Sequence, residues 1–150
     1  MRPDATSART TLPHLLARRG LRLTGPRRAV LEVLAESPAP VTVAELQERL
    51  GSKRPNLASV YRTVNLLVRI NVLRQTDSPR GSRRYELSEQ FTGHHHHLIC
   101  QGCGRIEDLE GCVLPDATLA QLTRHLHRAR NFRVIEHELR LFGLCPRCAA

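Results

Sequence analysis

The chain has no Trp, two Tyr, three Phe and a single Met, so aromatics make up 3% of its 150 residues. A core built on ring stacking is excluded. Leu, Ile and Val must fill it, within an apolar content of 41%. No uninterrupted apolar run reaches the ~18 residues of a membrane-crossing helix. Charges interrupt every candidate signal-peptide core in residues 1–30. The cytoplasm is therefore the expected location, with no membrane partner. Acid is also scarce: 14 Asp+Glu face 23 Lys+Arg, for a net charge of +9. The excess is lopsided. Residues 1–90 hold 16 Lys+Arg against 8 Asp+Glu, a net +8, whereas residues 91–150 hold 7 against 6, a net +1. The first part has the electrostatics of a phosphate-binding surface and the second does not. The length suits one larger domain or two small ones.

Cysteine and histidine supply the chemistry. Four of the five cysteines form two Cys-x-x-Cys pairs, Cys100 with Cys103 and Cys145 with Cys148. In a reducing compartment such pairs are expected as metal ligands rather than disulfides. The two-residue spacer lets both sulfurs of a pair face one ion. Four thiolates then close a tetrahedral zinc shell that staples a small domain. Cys112, the odd cysteine, is expected as a packed thiol.

The run His94-His95-His96-His97 abuts the first pair and is left over from that closed shell, which implies at least one further metal with exchangeable chemistry. Strand side chains alternate, so His95 and His97 share one face and His94 and His96 the other. Each pair needs partners, with candidates in Glu86, Glu89, Glu107, Asp108, Glu110, Asp116 and His137. A zinc deaminase is the alternative of another class. It would require His-x-Glu ahead of a Pro-Cys-x-x-Cys and an open position on zinc. Neither is here, so the chain is not expected to be an enzyme.

Residues 1–10 are polar and expected to be disordered. Leu12, Leu15 and Leu16 predict a helix over 11–20 with Gly20 as its cap. A second helix starts at Thr24-Gly25-Pro26 and is broken by Ser37-Pro38-Ala39-Pro40. A third covers 43–50, and a fourth covers 56–70 with Leu57, Val60, Val64 and Leu67 facing inward. Strands over 72–76 and 83–87 flank a polar loop with Pro79 and Gly81, which reads as a hairpin. Together these predict a winged helix-turn-helix, its fourth helix in the major groove and Arg80, Arg83 and Arg84 of the wing turned to phosphates. After a hinge at 89–93 come short strands at 97–99 and 105–109 and a helix over 116–129 striped with Leu119, Leu122 and Leu126. A strand over 132–141 leads to the last knuckle. The expected class is α+β, with a DNA-binding domain over 11–88 and a metal-binding domain over 94–150.

Four segments give the chain a specific likeness: Gly20-Leu21-Arg22-Leu23-Thr24-Gly25-Pro26-Arg27, Ala58-Ser59-Val60-Tyr61-Arg62-Thr63-Val64, the histidine run through Cys100-Gln101-Gly102-Cys103-Gly104, and Phe142-Gly143-Leu144-Cys145-Pro146-Arg147-Cys148. Over about residues 12–148 the chain resembles the ferric uptake regulator superfamily of metal-dependent repressors. The resemblance implies a winged helix followed by an α/β dimerisation domain with a four-cysteine zinc site. It also implies a homodimer on an AT-rich inverted-repeat operator that controls metal-homeostasis genes. Tyr61 would approach bases, Arg62 and Arg22 would contact phosphate or groove edges, and Ser59 lies on the same segment.

By position, the family's sensing site falls on His95 and His97, with Glu86 or Glu89 and with Glu107 or Asp108. A second site falls on His94, His96, Asp116 and His137. The hinge cysteine and the acidic residue of zinc-sensing members are replaced by Glu89 and Arg74, although residues 105–112 resemble some of those members. Pro40 and Val41 stand where many iron-type proteins supply a histidine. A carboxylate–imidazole site without thiolate suits Mn²⁺ or Fe²⁺, with Zn²⁺ at the same site as the alternative. Peroxide sensing through histidine oxidation is a third option within the resemblance.

Overall fold

A computed structural model of the chain describes residues 5–53, 55–79 and 81–150. Helix α1 (Ala5–Arg18) starts earlier than its leucine pattern suggested, and residues 5–10, expected to be disordered, form its first turns. Leu12 and Leu16 are buried and anchor it, so extension backward adds bonds without a new nucleation step. Residues 1–4 of the expected disordered stretch lie outside the described residues. Gly20 adopts φ +66°, and the Leu21 amide bonds the Leu16 carbonyl at 2.9 Å, which closes the helix.

Helix α2 (Gly25–Glu36) carries Pro in its first turn, where the missing N–H has no intrahelical partner to lose. In helix α3 (Val43–Arg49), Thr42 and Glu45 satisfy each other's backbone amides as a capping box. Helix α4 (Leu57–Arg69) is capped by Asn56, whose side chain accepts from the Ser59 amide at 2.8 Å. Asn71, at φ 56°, turns the chain out of it. Leu12, Leu16, Val30, Leu34, Leu46, Val60, Val64 and Leu67 form the centre of one core.

Strands β1 (Leu73–Asp77) and β2 (Arg83–Leu87) make an antiparallel wing with Leu73 opposite Leu87 and Arg74 opposite Glu86. Val41 bridges to Tyr85 and both are buried, so the segment before α3 is held in the core. The expected hinge carries a helical turn, α5 (Glu89–Thr92), and Phe91 from it joins the core above. This anchors the hinge to the winged helix.

The remainder is a three-stranded sheet ordered β4-β3-β5, with β3 (His95–Cys100) central, β4 (Ile106–Glu110) antiparallel to it and β5 (Arg140–Gly143) parallel. Helix α6 (Asp116–Arg130) links β4 towards β5, and α7 (Pro146–Ala149) carries the last knuckle. The strand expected over 132–141 is shorter. Its ladder with β3 begins at His97 opposite Arg140, and β3 itself starts only at His95, so residues 132–139 have little strand to join. No residue of α6 is buried; the leucine stripe finds no core within this one chain.

Candidate metal centres

Three groups of metal-ligating side chains are assembled among the described residues. The first is the four cysteines. Cys100 ends β3, Cys103 follows in the turn, and Cys145 and Cys148 flank the start of α7, so sheet order brings the two knuckles together. Cys103 Sγ and Cys145 Sγ stand 3.7 Å apart, and zinc–sulfur bonds of ~2.3 Å set tetrahedral sulfur–sulfur edges of about 3.75 Å. The Cys145 amide donates to Cys100 Sγ at 3.3 Å and helps hold that thiol down at about 6, whereas its thiol neighbours Cys145 and Cys103 push Cys148 up to about 12. Four adjacent thiolates repel, and a cation is what lets all four ionise. A Cβ on Gly102 would meet Cys148 Cβ at 2.8 Å, so the first knuckle needs glycine for the second to seat against it.

The second group joins Glu86, His95, His97 and Asp108. His95 and His97 project from one face of β3, with ring centroids 5.2 Å apart. Asp108 lies directly across the ladder from His97, on the same face. Glu86 arrives from the wing: its Oε2 is 3.0 Å from His95 Nε2 and its Oε1 3.2 Å from His97 Nε2. Burial alone would push the Glu86 carboxyl up, but the two imidazoles outweigh it and hold it down at about 2. The donor set is two imidazoles and two carboxylates, nearly sealed from solvent, with His97 Nδ1 buried and without a hydrogen-bond partner among the described residues. Such a set fits a divalent cation.

Two carboxylates named as candidates for this site stand elsewhere. Glu107 is opposite Leu98 and so faces away from His95 and His97; it pairs with Arg105 at 2.9 Å. Glu89 is held between Arg74, at 2.5 Å, and His94 Nδ1, at 3.1 Å. Burial would raise its carboxyl, and those partners lower it instead. Pro40 and Val41 add no ligand; the Pro40 carbonyl instead accepts from Arg84 at 3.0 Å.

The third group is His94, His96, Cys112 and His137. His94 and His96 meet edge to face at 4.6 Å, and His94 Nε2 is 3.2 Å from His137 Nε2. Burial, with His94 and His137 beside it, holds His96 below its ordinary value and therefore neutral, the form that binds metal. Asp116, expected here, opens α6 and is not part of the group. Cys112, expected as a packed thiol, is instead exposed, with Sγ 3.3 Å from His137 Nε2. Its only sequence signal was a thiol without a pair on the segment entering α6.

On the basic side, Tyr61 and Arg62 sit on the exposed face of α4, opposite buried Val60, Thr63, Val64 and Leu67. Ser59 is half-buried and accepts from Arg62 at 3.3 Å, so it orients that guanidinium. Arg22 and Arg83 are exposed. Arg84, expected to face phosphate, is turned inward and forks Glu45 at 3.0 and 3.2 Å. A carboxylate already fixed by the α3 cap outcompetes solvent for it. Arg80 lies outside the described residues. No described helix is long and apolar enough to cross a membrane.

The Ferric uptake regulator family model matches residues 18–142. A ferric uptake regulation protein of Bacillus subtilis is 33% identical over 131 residues, 85% of each chain. The Helicobacter pylori ferric uptake regulator Fur, whose structure reveals three functional metal binding sites, aligns with a TM-score of 0.76 at 25% identity, over 100% of this chain and 98% of that one. A zinc-bound manganese uptake regulator aligns with a TM-score of 0.65 at 29% identity, over 90% of this chain and 98% of that one.

Proposed function

Because the chain belongs to the ferric uptake regulator family, we propose that it is a homodimeric, metal-responsive repressor of metal-homeostasis genes that senses Mn²⁺ or Fe²⁺ at Glu86, His95, His97 and Asp108. The family makes it a metal-sensing regulator and not an enzyme. The observation that carries the choice of site and metal is the donor set: no sulfur, two imidazoles and two carboxylates, drawn from the wing and from the second sheet. Cys100, Cys103, Cys145 and Cys148 hold a structural Zn²⁺. His94, His96 and His137 serve a second site. The reading divides the chain into a DNA-binding unit over 11–88, a hinge at 89–93 and a dimerisation and metal-binding unit over 94–150, working in the cytoplasm.

The bound cation supplies the charge that holds both carboxylates and both imidazoles at one point. Glu86 belongs to β2, and His95 and His97 belong to β3, so closing the cluster fixes the winged helix against the second sheet. Two winged helices so fixed match two half-sites one helical turn apart, on an AT-rich inverted repeat. Tyr61, Arg62, Arg22 and Arg83 face the duplex in this arrangement.

The test is operator binding as a function of free Mn²⁺, Fe²⁺ and Zn²⁺, on promoter duplexes from its own genome, with the four-cysteine zinc retained. Mn²⁺ or Fe²⁺ is expected to switch binding on at the lowest free concentration relative to its cellular level. Zn²⁺ doing so would make the protein a zinc uptake regulator, and equal affinity with and without added metal would overturn the mechanism.

A further inference from the structure

Cys112 belongs to neither knuckle nor to the hinge cluster, yet its sulfur is 3.3 Å from His137 Nε2, which is itself 3.2 Å from His94 Nε2. One donor atom from each of His94, His96, Cys112 and His137 lies within 4.8 Å of all the others. A second observation points to a ligand. His96 is 0% exposed, its ring centroid is 4.6 Å from that of His94 and 5.3 Å from that of His137, and its Nε2 has no hydrogen-bond partner among the described residues. The Leu139 amide donates to Nδ1 of that ring at 3.3 Å, which leaves the proton of the neutral imidazole on Nε2, so coordination through Nε2 moves it to Nδ1 and releases that amide. Zinc bonds of ~2.0–2.1 Å to nitrogen and ~2.3 Å to sulfur set tetrahedral edges of about 3.3 Å between nitrogens and about 3.5 Å from nitrogen to sulfur. The observed edges of 3.2 and 3.3 Å lie close to both.

We propose that His94, His96, Cys112 and His137 form a mixed imidazole–thiolate site for a borderline-soft divalent cation such as Zn²⁺ or Co²⁺, with Cys112 as the residue that sets its selectivity against Mn²⁺. On binding, the Cys112 S–H proton goes to solvent and a sulfur–metal bond forms, with no change of oxidation state. Three neutral imidazoles already favour Co²⁺ and Zn²⁺ over Mn²⁺, and a thiolate as fourth donor, in place of a carboxylate, widens that preference. The inference rests on the second-site part of the reading above and is independent of what the hinge cluster senses.

Co²⁺ is the probe, added to the full-length protein with its four-cysteine zinc in place and the zinc content measured throughout. Wild type is expected to develop a thiolate-to-cobalt charge-transfer band in the near ultraviolet. Cys112→Asp should still bind Co²⁺ at this site without the band, and its Zn²⁺-over-Mn²⁺ preference there should fall, because a carboxylate suits Mn²⁺ better than a thiolate does. His95→Ala with His97→Ala should keep the band, so a failed hinge reading and a failed second site are told apart. Alkylation of Cys112 by N-ethylmaleimide should slow on addition of Zn²⁺, and this protection should vanish in His94→Ala with His96→Ala. A band of equal intensity in Cys112→Asp, or no band at saturating Co²⁺ with zinc content unchanged, overturns the proposal, as does alkylation indifferent to Zn²⁺.

Discussion

Glu86 is a buried carboxylate on a wing strand whose two oxygens meet two histidines of the second sheet. An unfolded glutamate titrates near ~4.3, and the folded group is held at about 2. Its contribution to the fold of the metal-free protein is thus fully present above ~4.3 and is lost as the pH falls through about 2. Glu86→Gln should therefore flatten the acid limb of a metal-free stability–pH curve, and it should abolish metal-dependent operator binding while the structural zinc stays bound. Parallel acid unfolding curves for variant and wild type would contradict this. Gly102 makes a different demand. A methyl group there would stand 2.8 and 2.9 Å from Cys148 Cβ and Sγ, inside any real carbon contact. Gly102→Ala should lower zinc content well below one per chain and lower the melting temperature, as Cys100→Ser should. Metal analysis of the purified variant, with a thermal melt beside it, checks both.

At the scale of elements, β3 sorts His95, His96 and His97 between two clusters, with His94 joining from just before the strand, and β2 with α4 sorts the arginines. Arg84 spans from β2 to the cap of α3, while Arg83, one residue earlier, points to solvent. The two should behave differently. Arg84→Ala should cost about 1 kcal/mol of stability by stranding part of the Glu45 network and should leave the salt dependence of DNA binding unchanged. Arg83→Ala should leave stability unchanged and reduce the slope of log K against log salt by about one. Denaturant titrations paired with binding at several salt concentrations separate them. On α4, Tyr61→Ala should erode discrimination between operator and random duplex, whereas Arg62→Ala should weaken both alike. Arg74 is the other bridging residue, gripping Glu89 at 2.5 Å and Glu136 at 3.4 Å, each next to a histidine of the third cluster or bonded to one. Arg74→Ala should leave metal stoichiometry intact and reduce the factor by which metal raises operator affinity.

For the whole molecule, the second half exposes what a lone chain would hide. Ile135 is 88% exposed, Phe132 61%, Leu144 58% and Phe142 55%, and α6 buries nothing. Apolar surface of that kind marks an association face, in keeping with the dimeric DNA-binding regulators of the family. Ile135→Asp should shift the protein towards monomer in sedimentation and weaken operator binding steeply, since one recognition helix reads a single half-site. Metal and DNA are then linked: whatever factor metal adds to operator affinity, the operator must add to metal affinity. Titrating metal into protein with and without operator tests that equality.

Much of this was legible in the sequence because it is carried by contiguous residues. Helical spacing, Pro26, Gly20 and Asn56 marked the helices, Cys-x-x-Cys spacing assembled the knuckles, and period-two alternation alone sends His95 and His97 one way and His96 the other. Partners that come from distant segments needed the tertiary structure. Asp108 and Glu107 are neighbours in sequence, and only strand register, Asp108 across from His97 and Glu107 across from Leu98, decides which one meets the histidines. Glu86 rather than Glu89 enters that cluster because β2 aims the first at it while Arg74 and His94 hold the second aside. Cys112, Arg84 and the shortened last strand follow the same logic. Local pattern sets which face a side chain takes, and long-range packing sets what stands opposite.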